Sequence, residues 1–169
     1  FSFNSPKGAC DACNGLGVSQ EINLQKVIPN NSISIKAGGI VPLGEEKNSW
    51  IFKQIENIAE RYKFKLNDPI HKIPKAAMEI ILNGGHETFS IKSKTAGVTR
   101  NYDIDFEGII AFIESQYKNS ESTSIKRWSK GFMDEVSCKS CEGKRLKKAA
   151  LHFKISEKSI SDLVQMDVT

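Results

Sequence analysis

A chain of 169 residues with 39% hydrophobic content can bury one modest core, or one core with a small satellite. No run approaches the roughly 20 apolar residues that a membrane-spanning helix needs, which excludes a helical membrane protein and leads us to expect a soluble chain. The net charge of +4 is uneven in placement: from Lys118 to Lys148 nine basic residues stand against four acidic ones, a pattern that suits a polyanionic partner and equally well a solvated face.

In chain order the first element is a cysteine box, Cys10-Asp11-Ala12-Cys13-Asn14-Gly15-Leu16-Gly17. Its counterpart is Cys138-Lys139-Ser140-Cys141-Glu142-Gly143-Lys144-Arg145, and together they hold all four cysteines, with 124 residues between the inner two. Two residues between two thiolates let both sulfurs of a box face one point, and two such boxes complete the tetrahedral sulfur shell that suits zinc. Gly15 and Gly143 free the backbone to curl around an ion. If both boxes share one ion, everything from Asn14 to Ser137 is a loop thrown out of a zinc knuckle, and the middle of the chain is an insertion. The alternatives are two disulfides, disfavoured because nothing at the N-terminus resembles a secretory signal, and a redox box, disfavoured because Gly8, Gly15 and Gly17 oppose a helix there. Two half-sites completed by ligands on other chains or on sequence outside this one form a third alternative.

Between the boxes, Val27-Ile28 and Ile33-Ser34-Ile35 read as brief strands in irregular structure, broken by Pro29-Asn30-Asn31 and Gly38-Gly39. A helix follows, capped by Ser49, with Ile51, Ile55, Ile58, Ala59 and Tyr62 on its buried face and Lys53, Glu56, Glu60 and Arg61 outside. Pro74 fits the first turn of a second helix carrying Ala77, Ile80 and Ile81 and stopped by Gly84-Gly85. The period then changes to two: Phe89 and Ile91, and later Tyr102 and Ile104, alternate with polar residues as a two-stranded hairpin. Its long connection from Ser93 to Thr99 gathers Lys92, Lys94 and Arg100 at an exposed tip able to track a phosphate backbone.

Asp105 is expected to cap a helix with the stripe Phe106, Ile109, Ile110, Ile113 and Tyr117. After Asn119-Ser120-Glu121-Ser122, a further helix is expected to turn Ile125, Trp128 and Phe132 inward, making Trp128 a core residue, and Lys126, Arg127 and Lys130 outward. Beyond the second box, Leu151 to Ile155 is strand-like, with His152 on it, and Ile160 to Val164 is a short helix. His71, His86 and His152 are dispersed, and no carboxylate pair or Ser-His-Asp pattern suggests an isolated enzyme.

Phe1-Ser2-Phe3-Asn4-Ser5-Pro6 before the first box, Phe106-Glu107-Gly108-Ile109 and Tyr117-Lys118 in the middle, and Cys141-Glu142-Gly143 followed by Arg145-Leu146 resemble, in order and spacing, one segment of the UvrA family of the excinuclease ABC system. Its members are the damage-sensing ATPases of bacterial nucleotide excision repair. The resemblance implies an α+β fold, a mainly helical insertion domain with a small β-hairpin on a four-cysteine zinc-knuckle stem. The stem would comprise 1–17 and 137–150, the insertion 18–136, and the return segment toward the ATPase body 151–169. It implies one structural zinc held by Cys10, Cys13, Cys138 and Cys141, double-stranded damaged DNA as partner, and a bacterial cytoplasmic location. In the intact parent it also implies ATP, a second UvrA copy and the excinuclease B subunit. The chain carries no Gly-x-x-x-x-Gly-Lys-Ser/Thr loop and no Leu-Ser-Gly-Gly signature, so this segment is expected to be non-catalytic.

Sensing damage without reading sequence requires contacts to phosphates and sensitivity to how a duplex bends. The candidates for those contacts are Lys126, Arg127 and Lys130 on one helix, Arg145, Lys147 and Lys148 beside the second box, and Lys92, Lys94 and Arg100 on the hairpin. Two other readings compete. A protein-interaction module would dock a repair partner through an apolar patch, with zinc purely structural. The first box is also similar to those of the DnaJ co-chaperones, but there the boxes lie close together. Because the stem closes so long a loop, the helical core is expected to survive loss of metal while the two ends loosen.

Overall fold

The computed structural model describes residues 2–92, 99–152, 154–155, 157–164 and 166. In chain order it contains β1 (Val18–Ile22), α1 (Leu24–Val27), a 3-10 turn (Val41–Leu43), α2 (Trp50–Tyr62), a second 3-10 turn (Ile70–Lys72) and α3 (Lys75–Asn83). There follow β2 (Gly85–Lys92), β3 (Thr99–Phe106), α4 (Ile109–Asn119), α5 (Thr123–Lys130), β4 (Met133–Ser137), α6 (Lys148–Leu151), β5 (Lys154–Ile155), β6 (Lys158–Ser159) and α7 (Ile160–Val164). The strands form three two-stranded sheets, β1 with β4, β2 with β3 and β5 with β6. This is an α+β fold, mainly helical in its middle. Among the described residues no helix is long and apolar enough to cross a membrane.

Two compact units emerge, Phe1–Glu21 with Asp134–Thr169, and Ile22–Met133. The second is built on one apolar core. Helix α2 buries Phe52, Ile55, Ile58 and Ala59 at the spacing of a single helical face, while Lys53, Glu56, Glu60 and Arg61 stay exposed. It ends in a Schellman turn: Lys63 takes the left-handed conformation at φ 57°, and the Phe64 N–H reaches back to the Ala59 carbonyl at 3.0 Å, with Phe64 itself buried. Ala77 and Ile81 of α3 and Ile109 and Ile113 of α4 complete the same core, joined by Val27, Ile35 and Ile40 from the irregular stretch.

The long antiparallel hairpin β2–β3 pairs Gly85 with Phe106, Phe89 with Tyr102 and Lys92 with Thr99. Its base is a crossing of two glycines in the left-handed region, Gly84 at φ 83° and Gly108 at φ 87°. A Cβ on Gly84 would run into the Phe106 and Glu107 carbonyls, and one on Gly108 into the Gly84 nitrogen and the Asn83 carbonyl carbon. Only hydrogen fits between the two backbones there, so the junctions α3–β2 and β3–α4 lie against each other.

Several local expectations are corrected. Asp105 is no helix cap: it and Phe106 are the last residues of β3, where Asp105 faces His86, and Gly108 occupies the cap position of α4. The alternating pattern runs two residues further than expected because the break in direction comes from Gly108. Val27 belongs to the single turn α1, whose N-terminus Asn23 caps by accepting the Gln25 N–H at 2.9 Å, and Ser34 makes only an isolated bridge to Pro69. Ser49 precedes α2 but its hydroxyl caps nothing and is buried without a partner. Pro74 sits one position before the helix instead of in its first turn. Leu151 ends a helical turn, with His152 as its cap, so the strand begins only at Lys154. Strand β1 forms in a polar stretch with no clear strand signal, and its five residues are all half-buried.

Gly108→Ala is expected to add left-handed strain and drive the two junctions apart. The melting temperature followed by circular dichroism should fall by about 5 °C or more; an unchanged melt would mean that the hairpin base tolerates separation.

Candidate metal centre and polyanion-facing residues

The four cysteines, all buried and all free thiols, converge: their sulfurs lie within 4.8 Å of one another. Each box folds the same way. After Cys13, Asn14, Gly15 and Gly17 have φ of 50°, 76° and 80°; after Cys141, Glu142, Gly143 and Arg145 have 52°, 79° and 68°. In each turn the third residue donates its N–H to the second cysteine's carbonyl, Leu16 to Cys13 at 2.9 Å and Lys144 to Cys141 at 2.8 Å. The fourth donates to the sulfur, Gly17 to Cys13 Sγ at 3.2 Å and Arg145 to Cys141 Sγ at 3.3 Å. The boxes are also stitched together, for Cys10 N–H donates to the Arg145 carbonyl and Cys138 N–H to that of Gly17, both at 2.9 Å.

The donor set fits a tetrahedral dication. Bonds of about 2.3 Å to zinc imply sulfur–sulfur edges of about 3.8 Å, and Cys13 Sγ and Cys141 Sγ stand 3.7 Å apart. The electrostatics agree. Burial opposes ionisation of Cys10, but the N–H groups of Cys13 and Ala12 outweigh it and hold the thiol down at about 7. Burial, together with the three neighbouring sulfurs, pushes Cys141 up to about 12. Four sulfurs this close cannot all ionise unless a cation neutralises them. The N–H groups aimed at Cys13 and Cys141 are the outer contacts that stabilise thiolate ligands.

The basic candidates divide between the two units. Lys126, Arg127 and Lys130 are exposed on α5 and make no ion pair among the described residues. Lys92 and Arg100 lie at the far end of the hairpin, opposite Thr99 and Ile91, and Lys94 falls outside the described residues. In the cysteine unit, Lys148 is exposed at the start of α6. Lys147 pairs with Asp11 at 2.8 Å. Arg145 has internal work that the sequence did not announce: its Nε donates to the Gly15 carbonyl at 2.7 Å and its guanidinium lies over the Phe3 ring, 4.2 Å from the centroid. Gly17 is what lets that side chain pass, since a Cβ there would stand 2.8 Å from Arg145 Cγ. The expectation that Ile125 and Trp128 turn inward is corrected: they remain 38% and 39% exposed, and the buried residue of α5 is Ser129, whose hydroxyl donates to the Ile125 carbonyl at 2.9 Å. An open groove of about 330 Å³ is lined by Lys36, Glu46, Glu56, Glu60 and Lys65 among others. Its mixed charge, with Lys36 and Glu46 paired at 3.3 Å, does not suit a polyanion.

Comparison with known proteins places this geometry. A family model described as the UvrA DNA-binding domain matches residues 24–131. The UvrABC system protein A of Clostridium perfringens is 33% identical over 171 residues, covering 99% of this chain. That of Borreliella burgdorferi is 35% identical over 175 residues, again covering 99%. The chain spans 18% of the length of these relatives. The crystal structure of UvrA2 from Deinococcus radiodurans superimposes with a TM-score of 0.72 over 96% of this chain and 21% of that one, at 22% identity, a likeness of fold.

Arg145→Ala removes a hydrogen bond from a charged donor and a cation–π contact, about 1–2 kcal/mol together. Hydrogen exchange at the Cys10 amide, which donates to the Arg145 carbonyl, should then quicken roughly five- to thirtyfold. Unchanged exchange would show that the guanidinium merely rests on Phe3.

Proposed function

The chain belongs to the UvrA DNA-binding-domain family, and from that premise we propose that it is a duplex-DNA-contacting arm on a zinc-bearing stem, acting in nucleotide excision repair. The observation that carries the reading is the family match across residues 24–131, which falls wholly within the helical unit and its hairpin. Cys10, Cys13, Cys138 and Cys141 would hold one structural zinc. Bound there, the ion supplies charge neutralisation and a cross-link and leaves no position open for catalysis. The stem is 1–17 with 137–150, the arm 18–136, and 151–169 leads back toward the remainder of the larger protein. That protein, on this reading, supplies ATP hydrolysis, pairing of two copies and recruitment of the excinuclease B subunit; the segment itself is non-catalytic and works in the bacterial cytoplasm.

Phosphate contacts fall to the basic residues. Lys126, Arg127 and Lys130 occupy adjoining positions on α5, and Lys148, Lys147, Lys92, Lys94 and Arg100 extend the set. Arg145 belongs to it only to the extent that its internal partners release it. Such contacts give affinity without sequence preference and leave discrimination to how easily the duplex deforms. A second reading, a module docking a protein partner, draws on the half-exposed Ile125 and Trp128. It differs in outcome, for partner binding would then be insensitive to salt and DNA affinity small.

Two measurements test these proposals. Metal analysis of the purified chain should give one zinc per chain, and its removal by a chelator should loosen the cysteine unit while most helical signal persists, because the apolar core contains no cysteine. Cooperative loss of all helical signal would contradict that division. Reversing charge at Lys126, Arg127 and Lys130 to Glu should weaken duplex binding irrespective of sequence and lower the log–log salt slope by about 2–3; an unchanged slope would leave α5 a solvated face.

A further inference from the structure

The α5 helix carries an aromatic as well as charge. Trp128 is 39% exposed, yet it is held on both sides, edge-on to Phe112 at 6.3 Å and 71° and to Phe132 at 5.2 Å and 78°. An exposed indole in so fixed a setting loses little rotamer freedom when a ligand settles on it. Around the helix its nearest cation is Arg127, about 100° away with the exposed Ser124 between them, while Lys130 and Lys126 each lie about 160° away. Exposed residues thus run from the indole through Ser124 to Arg127, and Ile125, 38% exposed, lies one turn before Trp128 beside it.

Cations alone describe a surface for the outside of a duplex, where bases are stacked and out of reach. An aromatic face adjoining those cations offers something a paired base cannot use and an unpaired one can: a stacking partner within reach of its own phosphate. We propose that Trp128 is a platform for an unstacked base, so that α5 binds DNA containing a short unpaired stretch more tightly than fully paired DNA of the same length. Phosphate contact comes from Arg127, the cation nearest the indole, and preference for the opened strand comes from Trp128. A protein partner would find the same apolar surface, but the three cations of α5, with no acidic residue on that helix, favour the polyanion.

This inference rests on the DNA-binding reading, and the test separates the two. The 169-residue chain is titrated with a perfect duplex and with the same duplex bearing a central unpaired bubble. Binding is followed by anisotropy and, in a Trp50→Phe background where Trp128 is the remaining indole, by tryptophan fluorescence. The bubble is expected to bind more tightly and to quench Trp128, and Trp128→Ala to lower bubble affinity about tenfold while changing duplex affinity less than about twofold. Trp128→Leu, which refills the seat between Phe112 and Phe132 without a π face, should behave as the Ala variant does and guards against misfolding. Trp50→Ala, at a more exposed indole on another helix, should change neither affinity. If both DNAs bind with steep salt dependence but their ratio is unmoved by either Trp128 variant, the platform is overturned and the DNA-binding reading stands. If neither binds, both fall.

Discussion

Four sulfurs converge across an excursion of 124 residues, and an ion held among them would cross-link its two ends. A cross-link over a loop of that length restricts the unfolded chain by about 5 kcal/mol, a large fraction of a typical domain's stability. The closure does not rely on sulfur alone. The amide of each box's first cysteine donates to a carbonyl of the opposite box, Cys10 to Arg145 and Cys138 to Gly17. Positions of the backbone and of the thiols are thereby set together, and the strands next to the boxes, β1 and β4, are already paired where they meet them.

The helical unit solves a different problem. It must carry a long hairpin and determine the hairpin's direction. That direction is constrained where the strands meet α3 and α4. There Gly84 and Gly108 bring two backbones into contact, and Phe106 is buried just beside them. The core residues Ile81 and Ile109 flank this crossing in sequence, so the hairpin's base is anchored to the part of the unit that is fully buried.

What the sequence made legible follows from how strong and how local each signal is. The faces of α2, α3 and α4 were readable because branched aliphatic residues recur at helical spacing and polar ones fill the remainder. The two boxes were readable because Cys-x-x-Cys followed by a nearby glycine has few other uses. The end of the hairpin was not, since alternation continues through Asp105 and a carboxylate there mimics a cap; the decisive residue was Gly108. Strand β1 escaped because Val-Ser-Gln-Glu-Ile has weak alternation and owes its form to a partner over a hundred residues away. Arg145 read as one more cation in a basic run, and its role depends on Phe3 and Gly15, neither of which is near it in sequence. Helical spacing with Ile125 and Phe132 points Trp128 to the core, whereas Ser129, through its own backbone-directed hydroxyl, takes the buried position.

The two knuckle turns are near copies, differing where one has Gly17 and the other Arg145. The side chain of the second crosses the space that a side chain on the first would fill. The consequence is a one-way constraint: position 17 cannot gain a side chain while Arg145 keeps its own, whereas 145 can shorten beside an unchanged Gly17. A bulky residue at 17 would call for a shorter one at 145 and the loss of the clasp on Phe3, so two turns with most of the chain between them share one allotment of space.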